Sequence, residues 1–232
     1  MTGVLARATG YAFTALVLIV GALQVWYLAH VVYWVHFNPV STAFMERRLE
    51  ELRATRPSAQ LRHQWMPYER ISVHLKRAVV ASEDARFVEH EGFDWEAIQK
   101  ALERNEKRGR VVAGGSTITQ QLAKNLFLSG ERSWLRKAQE AAITWMLERA
   151  MSKRRILELY LNVAEWGEGV FGAEAAARYH FGVPASALRP EQAVYLAVIL
   201  PSPRRYAPGR LTPYLAERVV SVHARMRAVQ IP

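Results

Sequence analysis

Residues 82–95, SEDARFVEHEGFDW, bring together side chains that could do acid–base chemistry. They include carboxylates, one histidine, and the only aspartates of the chain, Asp84 and Asp94. Glu83 directly follows the apolar run 78–81. A carboxyl group at the edge of a core can have its pKa raised toward the working range of a general base. A metal site and a solvated acidic turn are the alternatives for this segment.

Residues 113–128, AGGSTITQQLAKNLFL, could bind a phosphate or a sugar. Gly114 and Gly115 permit a sharp turn, and Ser116 could cap the helix that follows. One face of that helix presents an apolar stripe of Ile118, Leu122 and Leu126, and another presents Thr117, Gln120, Gln121 and Lys124. Amides and an ammonium group beside a helix N-terminus suit an anion. An ordinary exposed helix face is the alternative, and the spacing is not that of a Walker loop.

Residues 131–140, ERSWLRKAQE, concentrate positive charge around one carboxylate. Arg132, Arg136 and Lys137 lie within one or two helical turns, and Glu140 is one helical step from Arg136 and Lys137. The alternative is a surface ion pair, worth only a few tenths of a kcal/mol, about 0.2–0.5.

The elements that must position these segments are predicted to be helices. A short helix is expected over residues 44–56, and proline at the first turn predicts helices over 190–200 and 213–229. Helical spacing relates three further sets of residues: Trp95, Ile98 and Leu102; Leu135, Ala138, Ala142, Trp145, Met146 and Arg149; and Ile156, Leu157, Tyr160 and Leu161. The sequence shows no sustained alternating run and no long repeat, so the domain is predicted to be mainly α.

Composition narrows the choice of partners. The 232 residues carry a formal net charge of +10 and no cysteine, which excludes disulfides and thiolate zinc sites. The basic residues are scattered along helical stretches, which indicates a face that attracts anions. Nucleic acid, anionic lipid and a phosphorylated substrate are all compatible with that charge.

The N-terminal segment is predicted to be a membrane anchor. Residues 11–35 are almost wholly apolar and exceed the roughly 20 residues that a helix needs to cross a bilayer. Aromatic residues crowd the C-terminal half, as at a membrane interface. A cleaved signal peptide is the alternative, but its apolar region would be only about 7–15 residues long. Arg7 precedes the segment and several arginines follow it, so charge alone favours a cytoplasmic C-terminal domain.

Five ordered motifs carry a resemblance to a known family. EDARFVEHEG, GGSTITQQLAKN, RKAQE, KRRILELYLN and WGEGVFGAEAAARYHFG occur in that order. The series resembles the glycosyltransferase domain of class A penicillin-binding proteins, and the short anchored form is similar to the monofunctional biosynthetic peptidoglycan transglycosylases. The resemblance covers roughly residues 65–206. His180 departs from it, because the family more often has an aromatic residue there.

The resemblance implies a lysozyme-like fold and an anchored layout: a tail over residues 1–10, a transmembrane helix over 11–35, a linker over 36–59 and a glycosyltransferase domain over 60–232. It implies that Glu83 is the general base and that Glu140 is the second catalytic residue. The substrate-binding residues it implies are Asp84, Ser116, Thr117, Gln120, Gln121, Lys124, Asn125, Arg132, Arg136 and Lys137. Glu158 and Asn162 are expected to brace helices, and Gly167, Gly169 and Gly172 to shape a turn.

The activity implied by the resemblance is polymerisation of lipid II into β-1,4-linked glycan, with inversion and release of undecaprenyl pyrophosphate. The implied partners are lipid II, the growing lipid-linked glycan, membrane lipid, and candidate division or elongation proteins, without nucleic acid. A divalent cation, Mg²⁺ or Mn²⁺, is a candidate cofactor. The location implied is the inner membrane, with the catalytic domain on the periplasmic side; here the implied function overrides the arginine count.

Two other functions compete with this interpretation. A lytic enzyme of the same fold class would cleave glycan with one carboxylic acid and no cradle for a pyrophosphate. A membrane-tethered binding protein would use the basic face without turnover. Transpeptidation is not expected, because neither S-x-x-K nor K-T-G occurs and the chain is too short for a second catalytic domain.

Overall fold

The computed structural model describes residues 2–110, 114–128, 133–206 and 212–232. Two units can be distinguished, Met1–Asn38 and Pro39–Pro232. The first is a single helix, α1, Thr2–His36. Its stretch Thr9–His36 contains an 18-residue window with a mean hydropathy of 2.0 and is long and apolar enough to cross a membrane. An N-terminal helix of spanning length is therefore confirmed, although the helix begins before residue 11.

The second unit is mainly helical, as predicted. Its α-helices are α2 Ala43–Thr55, α3 Val73–Glu83, α4 Trp95–Arg108, α5 Ile118–Phe127, α6 Trp134–Ala150, α7 Lys153–Val163, α8 Ala173–Phe181, α9 Pro190–Ile199 and α10 Pro213–Arg225. Side-chain caps that accept a backbone N–H begin many of them, from Thr42, Ser72, Asp94, Thr117, Ser133, Ser152 and Thr212. The helices predicted from Pro190 and Pro213 begin at those residues.

A small sheet accompanies the helices. Its strands are β1 Arg62–His63, β2 Glu165–Gly167 and β3 Val170–Phe171, in the order β1-β3-β2. β3 pairs parallel with β1 and antiparallel with β2. Gly169 in the intervening turn has φ +68°, and Gly172 after β3 has φ +82°, where a Cβ would lie 2.8 Å from the Asn162 carbonyl oxygen. The predicted turn is confirmed at Gly169, and the positive φ at Gly169 and Gly172 requires glycine, whereas Gly167 ends β2.

The core lies where α3 packs on α9 and where α5 packs on α6 and α7. The predicted stripe of Ile118, Leu122 and Leu126 is buried. The set predicted on α7, namely Ile156, Leu157, Tyr160 and Leu161, is buried as well. These apolar faces fix α5 against its neighbours, and α5 carries the residues of the GGSTITQQLAKN motif.

Two of the helically spaced sets do not form the buried faces of their helices. On α6, Leu135 is 85% exposed and Trp145 is 57% exposed, whereas the buried face runs through Ile143 and Leu147. α6 carries apolar residues on two sides, so its period alone does not tell which side packs. On α4, Trp95 is 72% exposed and Leu102 is 63% exposed. The residue that α4 buries is the small Ala101.

The segment predicted as a linker contributes to the second unit. α2 buries Met45, Arg48 and Leu52 on one face and packs against α5. Arg48 is buried and pairs with the buried Glu165, with 3.0 Å between Arg48 Nε and Glu165 Oε1. A buried charge needs such a partner. The unit therefore begins at Pro39, upstream of the predicted boundary at residue 60.

Asn162 braces α7 against the segment before α3, as expected for the LELYLN motif. Its amide accepts a hydrogen bond from Met66 N–H at 2.8 Å and donates to the Met66 carbonyl oxygen at 2.9 Å. Glu158, one turn earlier, accepts from Tyr68 N–H at 3.1 Å. The bracing role predicted for Glu158 and Asn162 is confirmed.

We expect Asn162→Ala to lower the free energy of unfolding by about 1–3 kcal/mol, because it leaves buried backbone groups of Met66 without partners. Chemical denaturation of the full chain in detergent measures this change. The matched control is Gln99→Ala, which removes an exposed amide that donates to Glu103 at 3.2 Å. That control should shift stability by no more than about 0.5 kcal/mol. Equal effects of the two substitutions would contradict the bracing role.

Candidate active site

Glu83 ends α3 and is half-buried beside the apolar residues 78–81. Gln121 Nε2 donates to its Oε2 at 3.0 Å, and Ser82 Oγ lies 3.2 Å from its Oε1. Burial raises the pKa of Glu83; the hydrogen bonds from Gln121 and Ser82 and the charge of Arg218 oppose that rise, while Asp84 adds to it. The predicted direction of the pKa shift is confirmed. A partly accessible carboxyl with a raised pKa is a stronger base than an ordinary carboxylate and is suited to accept a proton.

The Glu83 cavity is an open pocket of about 390 Å³. Its lining includes predicted residues, Glu83, Asp84, Gly114, Gly115, Ser116 and Thr117, together with the basic residues Arg86, Lys100, Arg104 and Arg225 and the acidic residues Asp94 and Glu96. A Cβ on Gly115 would lie 2.8 Å from Ile98 Cα, so the glycine turn packs closely against α4. The first and second segments predicted to carry chemistry therefore meet at one cavity.

Asp84 connects the end of α3 to the start of α5 and to the side chain of His90. Its Oδ2 accepts from Ile118 N–H at 3.0 Å, at the N-terminus of α5, and its Oδ1 lies 2.9 Å from His90 Nε2. His90 Nδ1 accepts from Gly92 N–H at 3.1 Å, so Nε2 carries the proton that is donated to Asp84. Each Asp84 oxygen thus already has a partner. The contacts give this predicted substrate-binding residue a positioning role.

Thr117, rather than the predicted Ser116, caps α5. Thr117 Oγ1 accepts from Gln120 N–H at 3.2 Å and donates to the Gly92 carbonyl oxygen at 2.7 Å. The Gln120 side chain accepts from Thr117 N–H at 3.0 Å, completing a capping box. Thr117 and Gln120 are buried by this arrangement. Their polar groups hold the helix start, so the solvent-facing polar side predicted for α5 is reduced to Gln121 and Lys124.

A second cavity, of about 500 Å³, lies on the other side of Gln121. Gln121, Lys124 and Asn125 of α5 line it, as do Arg48, Tyr160, Glu165, Arg204 and Arg205. Tyr160 donates its hydroxyl to Gln121 Oε1 at 2.9 Å. Burial raises the pKa of Glu165, an effect that the charge of Arg48 opposes. The Glu83–Gln121 hydrogen bond therefore lies between the two cavities.

Glu140 is buried on α6 between two cations. Arg136 Nη1 lies 3.4 Å from its Oε2, and Lys137 Nζ pairs with its Oε1. Lys137 also lines a small cavity of about 200 Å³ with Ser116 and Gln120. The structure thus brings together Glu140, Arg136 and Lys137 as predicted, with Lys124 on the wall of the second cavity. Arg132 lies outside the described residues.

Glu140, a candidate ligand for a divalent cation, is already paired with two cationic side chains. Mg²⁺ takes oxygen ligands, commonly one or two carboxylates with substrate phosphates. In the part of the chain that the structure describes, no group of three or more His, Asp or Glu side chains could hold a metal. Each oxygen of Glu140 already faces a cation. In this structure Glu140 is the counter-ion of Arg136 and Lys137.

Sequence reasoning missed the contacts that α10 and α7 make with the site. Arg218 Nη2 donates to Ser82 Oγ at 3.2 Å and so stands behind the Glu83 carboxylate. Arg225 lines the Glu83 cavity, and Tyr160 holds Gln121. No motif surrounds Arg218 or Arg225, and the sequence marks Tyr160 only by its helical spacing and its place in the KRRILELYLN motif. His180, the departure from the family pattern, is buried, and its Nε2 lies 2.8 Å from the Trp166 carbonyl oxygen.

Comparisons with known proteins show which family the chain resembles. The Transglycosylase family profile matches residues 49–227. A biosynthetic peptidoglycan transglycosylase of Azoarcus sp. (strain BH72) is 58% identical over 228 residues, covering 98% of this chain and 96% of the relative. One from Aromatoleum aromaticum is 56% identical over 226 residues, covering 97% and 98%. One from Nitrosospira multiformis is 56% identical over 220 residues, covering 95% and 96%.

This chain belongs to the transglycosylase family. The family resemblance drawn from the five motifs is confirmed, as are the mainly α, lysozyme-like fold and the enzyme class, a glycosyltransferase. The match begins at Leu49, within α2, which agrees with α2 being part of the second unit.

Proposed function

We propose that this enzyme polymerises lipid II into β-1,4-linked peptidoglycan strands by an inverting displacement and releases undecaprenyl pyrophosphate. The observation that carries the proposal is Glu83, a half-buried carboxyl with a raised pKa on the wall of an open cavity, hydrogen-bonded to Gln121 of the second cavity. A general base at this position can deprotonate a substrate hydroxyl, and the second cavity, with Arg48, Lys124, Arg204 and Arg205 in its lining, suits an anionic substrate.

The reaction is a single displacement in which one bond forms, one bond breaks and one proton is transferred. The 4-hydroxyl oxygen of the acceptor sugar attacks the anomeric carbon of the donor, and its proton passes to Glu83. The bond from that carbon to the pyrophosphate oxygen breaks, and its electron pair leaves with the pyrophosphate. Attack opposite the leaving group converts the α linkage into a β bond.

The leaving group needs neutralisation more than protonation, because pyrophosphate is already a good leaving group. Lys124, Arg136 and Lys137 are the described cations that we assign to it, with Arg132 as a further one. Glu140 holds Arg136 and Lys137 in place. A glycosidase would instead need a carboxylic acid to protonate a poor leaving group. The cationic set therefore favours synthesis over the lytic alternative.

Incubation of the purified full chain with lipid II in detergent tests the proposal, with gel separation of the products. We expect long glycan strands and released undecaprenyl pyrophosphate, without cross-linked peptides, since neither transpeptidase motif occurs. Shortening of preformed strands without elongation would favour the lytic enzyme. Binding without any turnover would favour the tethered scaffold.

We also propose that α1 anchors the enzyme in the inner membrane with the catalytic unit on the periplasmic side. The length and hydropathy of Thr9–His36 support the anchor, and the place where cell wall is assembled supports the side. Division or elongation proteins are the partners we propose for that location. A reporter that works only outside the cytoplasm, fused after Pro232, should be active.

The matched fusion carries a reporter that works only in the cytoplasm at the same position, and it should be inactive. The opposite pair of results would overturn the topology. It would instead agree with the arginines that follow the anchor, which favour a cytoplasmic side.

A further inference from the structure

The Gln121 amide joins the base to a buried phenol. Its Nε2 donates to Glu83 Oε2 at 3.0 Å, and its Oε1 accepts from the Tyr160 hydroxyl at 2.9 Å. Glu83 comes from α3, Gln121 from α5 and Tyr160 from α7. Three helices therefore converge on one hydrogen-bonded chain.

The two ends of an amide are not equivalent, because the nitrogen donates and the oxygen accepts. With the nitrogen toward Glu83, the amide stabilises the ionised carboxylate. The reversed amide would set its oxygen against the carboxylate oxygen, which favours the protonated carboxyl instead. The orientation of Gln121 thus decides how readily Glu83 gives up its proton before a catalytic cycle.

We propose that Tyr160 is a positioning residue for catalysis: its hydroxyl holds the Gln121 amide with the nitrogen toward Glu83 and so keeps Glu83 in its basic form. The inference rests on the proposed role of Glu83 as general base. Tyr160 does not touch the reacting atoms in this scheme, and its effect passes through Gln121 alone.

The surroundings of Tyr160 make its hydroxyl a dependable donor. The side chain is buried, and burial raises its pKa well above the ordinary tyrosine value, with the charges of Glu83 and Asp84 adding to the rise. The phenol therefore stays protonated.

The other charged groups around Glu83 are Asp84 and Arg218, with Arg86, Asp94, Glu96, Lys100, Arg104 and Arg225 along the cavity.

Tyr160→Phe tests the proposal, because it keeps the buried ring and removes the hydroxyl. In a plot of kcat/KM against pH, the acidic limb is the rise that follows the ionisation of Glu83. In Tyr160→Phe this limb should move to higher pH by about 0.5–1 unit, the shift equivalent to one hydrogen bond, while the shape of the plot is kept. Below that limb the rate should fall about three- to tenfold, and above it the rate should approach that of the wild type. Gln121→Met should move the limb at least as far.

The control is Tyr68→Phe, which removes another buried hydroxyl, one that donates to the Pro232 carbonyl oxygen. It should lower the melting temperature without moving the limb. Adding Tyr160→Phe to Gln121→Met should produce no further shift, since the two act through one amide. An unmoved limb in Tyr160→Phe, or a full further shift in the double variant, would overturn the proposal. Wild-type chain that does not polymerise lipid II would instead defeat the proposed function.

Discussion

Glu83→Gln should reduce the polymerisation of lipid II by about 10²–10⁴-fold, the range typical of a lost general base. The substitution keeps the shape of the side chain and removes its basicity. The partners of Glu83, the Gln121 amide and the Ser82 hydroxyl, can both hydrogen-bond to glutamine. Initial rates of strand formation, with the substrate saturating, measure the loss.

The matched control is Glu89→Gln, in the same motif, where an exposed carboxylate pairs with Arg86 at 3.0 Å. It should leave the rate close to that of the wild type, because surface ion pairs contribute little, typically about 0–1 kcal/mol. A Glu83→Gln enzyme that worked within about threefold of wild type, far less than a lost base costs, would remove Glu83 from the mechanism.

Glu83→Gln should lower activity, but it should leave the melting temperature unchanged or raise it. Burial raises the pKa of Glu83 in the folded chain above its unfolded value. The stability contributed by the protonated group is complete below the unfolded pKa and is lost as pH rises through the folded pKa. At neutral pH the variant should therefore melt at the same or a higher temperature than the wild type, and the difference should shrink toward acid pH.

Removing one charge from the ion-paired cluster of Arg136, Lys137 and Glu140 should give the second large effect on activity. Lys137→Met should lower turnover by about 10²-fold, in the range observed when a preorganised donor to developing charge is removed. The pyrophosphate gains charge as the glycosidic bond breaks, so kcat should fall more than KM rises. Glu140→Gln should lower kcat in the same way, because Glu140 holds both Arg136 and Lys137.

Steady-state kinetics and thermal melting, measured on the same preparations, separate this role from a structural one. The control is Arg47→Met, which breaks an exposed pair with Glu51 on α2 whose atoms lie 3.0 Å apart. It should change neither kcat nor KM. Unchanged turnover with altered melting in Lys137→Met and Glu140→Gln would return the cluster to a purely structural role.

The parts of the fold that depend on local signals could be predicted from sequence. Pro190 and Pro213 predict the starts of α9 and α10, and apolar spacing predicts the buried stripe of α5. The packed face of α6 was missed because it includes the polar residues Glu140 and Thr144. Thr144 donates to the Glu140 carbonyl oxygen at 2.7 Å, so its buried hydroxyl group has a hydrogen-bond partner.

The site was predictable as a set of residues and not as a set of contacts. Glu83, Ser116 and Thr117 do line one cavity, as their motifs suggested. That Thr117 and Gln120 turn inward to cap α5 depends on the approach of Gly92, and that Arg218 reaches Ser82 depends on how α10 packs. Such long-range placements leave no periodic or compositional trace.

The wall between the two cavities bears on how inhibitors of this enzyme could lose potency. A compound seated in the second cavity can reach the Gln121 amide, whose other end supports Glu83. A substitution of Gln121 that weakened such a compound would also disturb the base. Resistance through Gln121 should therefore also lower the activity of the enzyme, if Glu83 is the base we propose.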